Sequence, residues 1–124
     1  MISQKILLVE DEDLIRVLLS EALADEGFQV TDVSTGEAAV ELIERGDHFD
    51  LLLTDIQLPG PVDGLEIARE VRLRNPTVPI LFTTGQPDRM DAWRTGPGDV
   101  FIAKPYRPSD ICSVIHRILG TAPA

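Results

Sequence analysis

A chain of 124 residues, 44% hydrophobic and 26% charged, can bury one self-sufficient core, which excludes disorder and any need for covalent staples. Its 21 acidic residues against 11 basic ones give a formal charge of −10, which would repel a phosphate backbone and so argues against direct nucleic-acid binding. The single cysteine, Cys112, excludes an internal disulfide, and no Cys/His cluster suggests zinc.

In chain order, Met1 to Gln4 leads straight into the near-continuous apolar run Lys5–Val9, with no long h-region or cleavage site. That run, like the later ones at Leu51–Thr54 and Ile80–Thr83, is expected to be a strand covered on both faces, as in a parallel sheet between helix layers. A helix is expected from Asp13 to Glu26, with Leu14, Val17, Leu18 and Leu23 facing inward and Gly27 ending it. Phe28–Val33 reads as the second strand. A helix then begins near Gly36, buries Ala39, Val40 and Ile43, and stops at Gly46.

Leu51–Thr54 is the third strand, and a third helix covers Leu65 to Arg74, with Ile67, Ala68 and Val71 inward, until Asn75-Pro76 breaks it. Ile80–Thr83 is the fourth strand. From Gln86 to Asp99, Pro87, Gly96, Pro97 and Gly98 leave only Asp88 to Thr95 for a helix, so a short or irregular one is expected, weakly protected and free to move. Val100–Ala103 is the fifth strand, and a last helix after Pro108-Ser109 carries the apolar stripe Ile111, Val114, Ile115 and Ile118. Alternating strands and helices predict an α/β doubly wound, five-stranded parallel sheet with helices on both faces. With no repeat, linker or low-complexity tract, residues 1–124 read as one domain. No apolar run approaches the length of a membrane span, so a soluble, cytoplasmic chain is expected.

In such a sheet the C-terminal strand ends lie along one edge, where ligands usually bind. That edge collects Glu10, Asp11, Glu12 and Asp13 after the first strand, Asp55 after the third, Thr84 after the fourth and Lys104 after the fifth. Packed acids need a counter-charge, and a hard divalent cation with oxygen ligands, Mg²⁺ above all beside phosphate, supplies one. Asp55 can then attack phosphorus to give an acyl phosphate, with Lys104 offsetting charge on the phosphoryl oxygens and Thr84 bonding one of them. Strand alternation lets only one of Thr83 and Thr84 face the site. Glu12 and Asp13 read as helix-start residues favoured by the dipole. His48 and His116 read as structural or solvated, Cys112 as a small, partly buried residue, and Trp93 as either an exposed anchor or packing on a short helix.

VEDED after the first strand, TDIQLPG around Asp55, TTG ending the fourth strand and KPY after the fifth resemble the motifs of response regulator receiver domains, over almost the whole chain. The resemblance implies the flavodoxin-like strand order 2-1-3-4-5, Glu10 and Asp11 as the acidic pair, Asp55 as phosphoacceptor, Thr84 as switch hydroxyl, Lys104 as the family's lysine and Phe101 as switch aromatic. It also implies that the backbone carbonyl of Gln57 completes the Mg²⁺ ligands and that the Lys104-Pro105 bond is cis. The function implied is a phosphorylation-operated switch, not an enzyme, charged by a histidine kinase or phosphotransfer protein and acting on a downstream protein by contact. It would be either a stand-alone receiver, chemotaxis-regulator-like, or one cut from a longer protein.

Three departures from the family pattern bear on the output face. Glu10 stands where Asp is usual, LPGPVDG is a longer loop than usual, and the stretch from Thr84 to Lys104 is shorter. Two rival readings differ in class. An aspartate-nucleophile phosphatase would form the same acyl phosphate, but Gln57 stands where its D-x-D pattern places the general acid. A phosphorylation-independent interaction module would have no use for Asp11, Asp55, Thr84 and Lys104 together.

Overall fold

In a computed structural model, which describes residues 3–93, 96 and 98–123, the five apolar runs form β1 (Lys5–Val9), β2 (Gln29–Val33), β3 (Leu51–Asp55), β4 (Ile80–Thr84) and β5 (Val100–Ala103). All neighbours pair in parallel, in the order β2-β1-β3-β4-β5. Four helices, α1 (Asp13–Asp25), α2 (Gly36–Glu44), α3 (Gly64–Arg74) and α4 (Pro108–Leu119), cover the two faces. This is the doubly wound arrangement expected from the alternation of elements, with the flavodoxin-like strand order that the resemblance implies.

Period-two alternation builds two cores from one sheet. Ile6 and Leu8 of β1, Leu51 and Leu53 of β3 and Leu81 of β4 pack with Leu19 and Leu23 of α1 and Ile111 and Ile115 of α4. The intervening Leu7, Val9, Leu52, Ile80 and Phe82 pack with Ala39 and Ile43 of α2 and Ile67, Ala68 and Val71 of α3. Burying each of the larger of these side chains contributes about 1.5–3 kcal/mol, and a one-residue slip would exchange a strand's side chains between the two cores.

α1 departs from expectation. Leu14, Val17 and Leu18 are not inward: they are 72%, 47% and 47% exposed, and only Leu23 of the expected set is buried. The inward stripe is Ile15, Leu19, Ala22 and Leu23. The helix carries two overlapping apolar stripes about one residue apart, and contact with β1 and α4 selects one of them. Phe28 also leaves the second strand, because its N–H bonds Leu23 O at 3.2 Å in the turn that closes α1. β3 and β4 each extend one residue beyond expectation, to Asp55 and Thr84.

The β4–β5 connection is short and irregular as expected, but its bounds differ: a 3-10 helix spans Pro87–Ala92. Pro at its first position suits φ while removing a donor that would be unpaired there anyway. Arg94, Thr95 and Pro97, which the sequence reading included in this segment, lie outside the described residues, as do Met1, Ile2 and Ala124. Farther along, Arg72 of α3 donates to Val78 O at 3.2 and 3.0 Å and pairs with Asp99, whose second oxygen accepts the Gly96 N–H at 2.8 Å. A Cβ at Gly96 would stand 2.1 Å from Arg72 Nη1, so the glycine read only as a helix breaker makes room for this clasp.

Trp93 has a core partner after all. Its ring stacks on Phe101 with centroids 6.1 Å apart, and Phe101 stacks on Phe82 at 5.0 Å. His116 is buried, with Nε2 2.7 Å from Glu26 Oε1 and Nδ1 2.6 Å from Thr121 Oγ1, whereas His48 is exposed. Cys112 is buried, and burial pushes its thiol up.

Candidate functional site

Four of the five strands deliver chemical groups to the same edge. Glu10 and Asp11 follow β1, Asp55 ends β3, Thr84 ends β4 and Lys104 follows β5. The register holds them level: Asp55 lies opposite Thr83, Thr84 opposite Ala103, and Lys104 N donates to Thr84 O at 2.7 Å. The Lys104-Pro105 bond is cis.

Lys104 Nζ sits 2.7 Å from Asp55 Oδ2 and 3.6 Å from Glu10 Oε1. Glu10 and Asp55 are 1% and 4% exposed, so both charges are held against burial. Burial pushes the Glu10 carboxyl above its usual range; the Glu12 N–H and Lys104 oppose this, and Asp55 adds to it. Burial likewise raises Asp55, against the hydrogen bond and charge of Lys104 and with the help of Asp11. For Lys104, burial works against the charged form, but Asp55 and Glu10 outweigh it and its pKa is raised. Burial pushes the Tyr106 phenol up to about 12, with Glu10 contributing, and its hydroxyl has no partner among the described residues.

Carboxylate oxygens of Glu10, Asp11 and Asp55 lie within 4.8 Å of one another, and Asp55 Oδ1 is buried without a hydrogen-bond partner among the described residues. A crowded set of oxygen donors, one of them a buried oxygen without a partner among the described residues, is the donor chemistry of a hard divalent cation, so these residues fit Mg²⁺. Glu12 and Asp13 are exposed and outside this cluster, although the Glu12 N–H donates to Glu10 Oε2 at 3.0 Å.

Thr84 lies on the Phe82 and Phe101 side of the sheet, Thr83 on the opposite side. The Thr84 hydroxyl donates to Gln57 Oε1 at 3.2 Å and accepts the Gln86 N–H at 2.9 Å. Three participants were missed in the sequence. Arg16 donates to Glu10 O at 2.9 Å and pairs with Asp13 and Asp32. The Gln57 side chain holds Thr84. Gly64 packs its Cα against the phosphoacceptor candidate's own backbone, where a Cβ would stand 2.3 Å from Asp55 O. A glycine opening α3 directly after its N-cap Asp63, in place of a good helix former, was the available signal.

A cavity of about 430 Å³ opens beside the site, walled by Ile15, Leu18 and Leu19 of α1 and by Pro105, Tyr106 and Pro108, with Glu12 and Lys104 at its polar end. Among the described residues no helix is long and apolar enough to cross a membrane.

The family profile described as "Response regulator receiver domain" matches residues 6–116. The transcriptional regulatory protein CssR of Bacillus subtilis is 32% identical over 120 residues, which is 94% of this chain and 52% of that protein. The chain spans about half the length of the curated relatives it matches. A response regulator receiver protein from Sinorhizobium medicae superposes with a TM-score of 0.88 at 30% identity, covering 95% of each chain. The response regulator protein TrrA from Thermotoga maritima, solved in complex with Mg²⁺-BeF, superposes with a TM-score of 0.81 at 29% identity, covering 93% of this chain and 98% of that one.

Proposed function

The chain belongs to the response regulator receiver domain family, and from that premise we propose that residues 1–124 form one receiver unit in which Asp55 accepts a phosphoryl group, with Mg²⁺ held by Glu10, Asp11, Asp55 and the backbone carbonyl of Gln57. Receiver domains are phosphoryl-accepting switches rather than true enzymes, and they work with histidine kinases. The observation that carries the assignment to Asp55 is its divided carboxylate: one oxygen is fixed by Lys104 at 2.7 Å, and the other is buried with no hydrogen-bond partner among the described residues, beside two further acids.

In the reaction, an Asp55 oxygen attacks the phosphorus of a donor phosphohistidine. The P–O bond forms as the P–N bond breaks, and the electron pair leaves on the imidazole nitrogen, which is then protonated. Lys104 is already within hydrogen-bond reach and would shift from Asp55 to a phosphoryl oxygen. Bound Mg²⁺ supplies positive charge that offsets the three acids and the incoming anion. Thr84 and Phe101 then carry the change to a downstream protein by contact. The net charge of −10 supports a protein partner over nucleic acid, and a cytoplasmic setting suits a kinase donor.

Native protein incubated with a small-molecule phosphodonor should gain one acid-labile phosphoryl group by intact mass with Mg²⁺ present and none with chelator. An equal gain in both conditions would count against the metal-assisted reading.

The exposed apolar stripe Leu14, Val17 and Leu18 meets the cavity beside Lys104 at Leu18, which supports α1 as the surface where the donor docks. Leu18→Asp should slow phosphoryl transfer from a phosphohistidine protein roughly tenfold while small-molecule phosphorylation proceeds as before, because a charge at the centre of an apolar contact costs at least 1 kcal/mol or so. Equal slowing with both donors would place the fault in the site instead.

A further inference from the structure

We propose that the Gln57 side chain is a positioning residue for the switch: its Oε1 takes the single proton of the Thr84 hydroxyl in the resting form and must release it before Thr84 can bond a phosphoryl oxygen on Asp55. The inference rests on the phosphoacceptor reading of Asp55 and deepens it.

A threonine hydroxyl has one proton and two lone pairs. At Thr84, which is fully buried, the Gln86 N–H donates to the oxygen at 2.9 Å, and the proton is directed to Gln57 Oε1 at 3.2 Å. The Gln86 bond is part of the backbone turn after β4 and orients the hydroxyl; the Gln57 bond decides where the proton goes. Thr84 is shielded from bulk solvent, and Gln57 Oε1 is the only acceptor for that proton among the described residues.

The two sides of the bond are unequal. Gln57 is exposed and can turn its amide to water once released, whereas Thr84 without an acceptor keeps a buried, unsatisfied donor. Gln57 therefore stabilises the resting form alone. In the phosphorylated form the phosphoryl oxygen replaces it, and this stronger, charged acceptor drives the exchange. The residue two positions after Asp55 thus sets how readily phosphorylation is converted into movement of Thr84, in addition to any contribution of its backbone carbonyl to the metal. A Lys or Arg at position 57 has no acceptor and cannot play this part.

The test is a calorimetric titration of the full chain, at saturating Mg²⁺, with beryllium fluoride as a mimic of the phosphoryl group. Gln57→Leu and Gln57→Met both keep the backbone carbonyl and lose the side-chain acceptor. Each should bind beryllium fluoride roughly threefold to tenfold more tightly than wild type, since the resting form has lost a bond to a buried donor. In a Thr84→Val background the same substitutions should change the affinity by less than about twofold, because the proton they compete for is gone. Unchanged affinity in the Thr84 background, or tightening of the same size in the Thr84→Val background, would overturn the latch while leaving the phosphoacceptor reading intact. No binding of beryllium fluoride by wild type would instead overturn the phosphoacceptor reading, and the latch with it.

Discussion

Asp55→Asn should lose the phosphoryl adduct completely, the largest functional effect expected of any single substitution in this chain. The amide oxygen is uncharged and a poor nucleophile, its NH₂ group is a donor with nothing to offer phosphorus, and one negative charge disappears from the proposed metal cluster, whose members lie within 4.8 Å. The change is nearly isosteric, so the site keeps its shape, and Lys104 retains Glu10 at 3.6 Å as a partner. Intact-mass analysis of native and Asp55→Asn protein under identical phosphodonor and Mg²⁺ concentrations measures it. An adduct of equal yield on the variant would move the phosphoacceptor to another side chain and sink the proposed function.

The largest stability effect is expected at Arg72. Its guanidinium ties the end of α3 to Val78 O and to the Asp99 carboxylate, which is only 2% exposed. Arg72→Met keeps the aliphatic stem but leaves the buried Asp99 carboxyl with the Gly96 N–H as its one remaining side-chain partner among the described residues. Removing one partner of a buried pair typically costs about 3–5 kcal/mol, because the remaining charge is uncompensated. Arg72 is itself 22% exposed at its side chain, so the lower end of that range is expected. Urea unfolding of wild type and Arg72→Met reads the difference, and a loss below about 1 kcal/mol would show that the clasp is not structural. The double variant Arg72→Met with Asp99→Asn should recover part of the loss, since Asn accepts from Gly96 without a charge.

The clasp also illustrates a kind of information that the sequence carries only implicitly. Arg72 and Asp99 are 27 positions apart, and nothing in either residue's neighbours announces the other. The same separation divides Gln57 from Thr84. By contrast Glu10, Asp11, Asp55, Thr84 and Lys104 were legible as a group, because each follows an apolar run and the handedness of parallel crossovers brings strand ends to one edge whatever the loops do.

The five strands, the two-faced burial of β1, β3 and β4, and the set of charged groups at the sheet edge can be read from residue order, since they depend on local apolar periodicity and on a topological rule. Which of two stripes α1 buries, why glycine stands at positions 64 and 96, and which acceptor holds the Thr84 proton are set by contacts between distant parts of the chain. Periodicity records that Leu14, Val17 and Leu18 are apolar, but the choice between their stripe and that of Ile15, Leu19 and Leu23 depends on what the rest of the chain presents to the helix. Burial free energy belongs to the contact and not to the residue, so it is settled when β1, α1 and α4 close on one another.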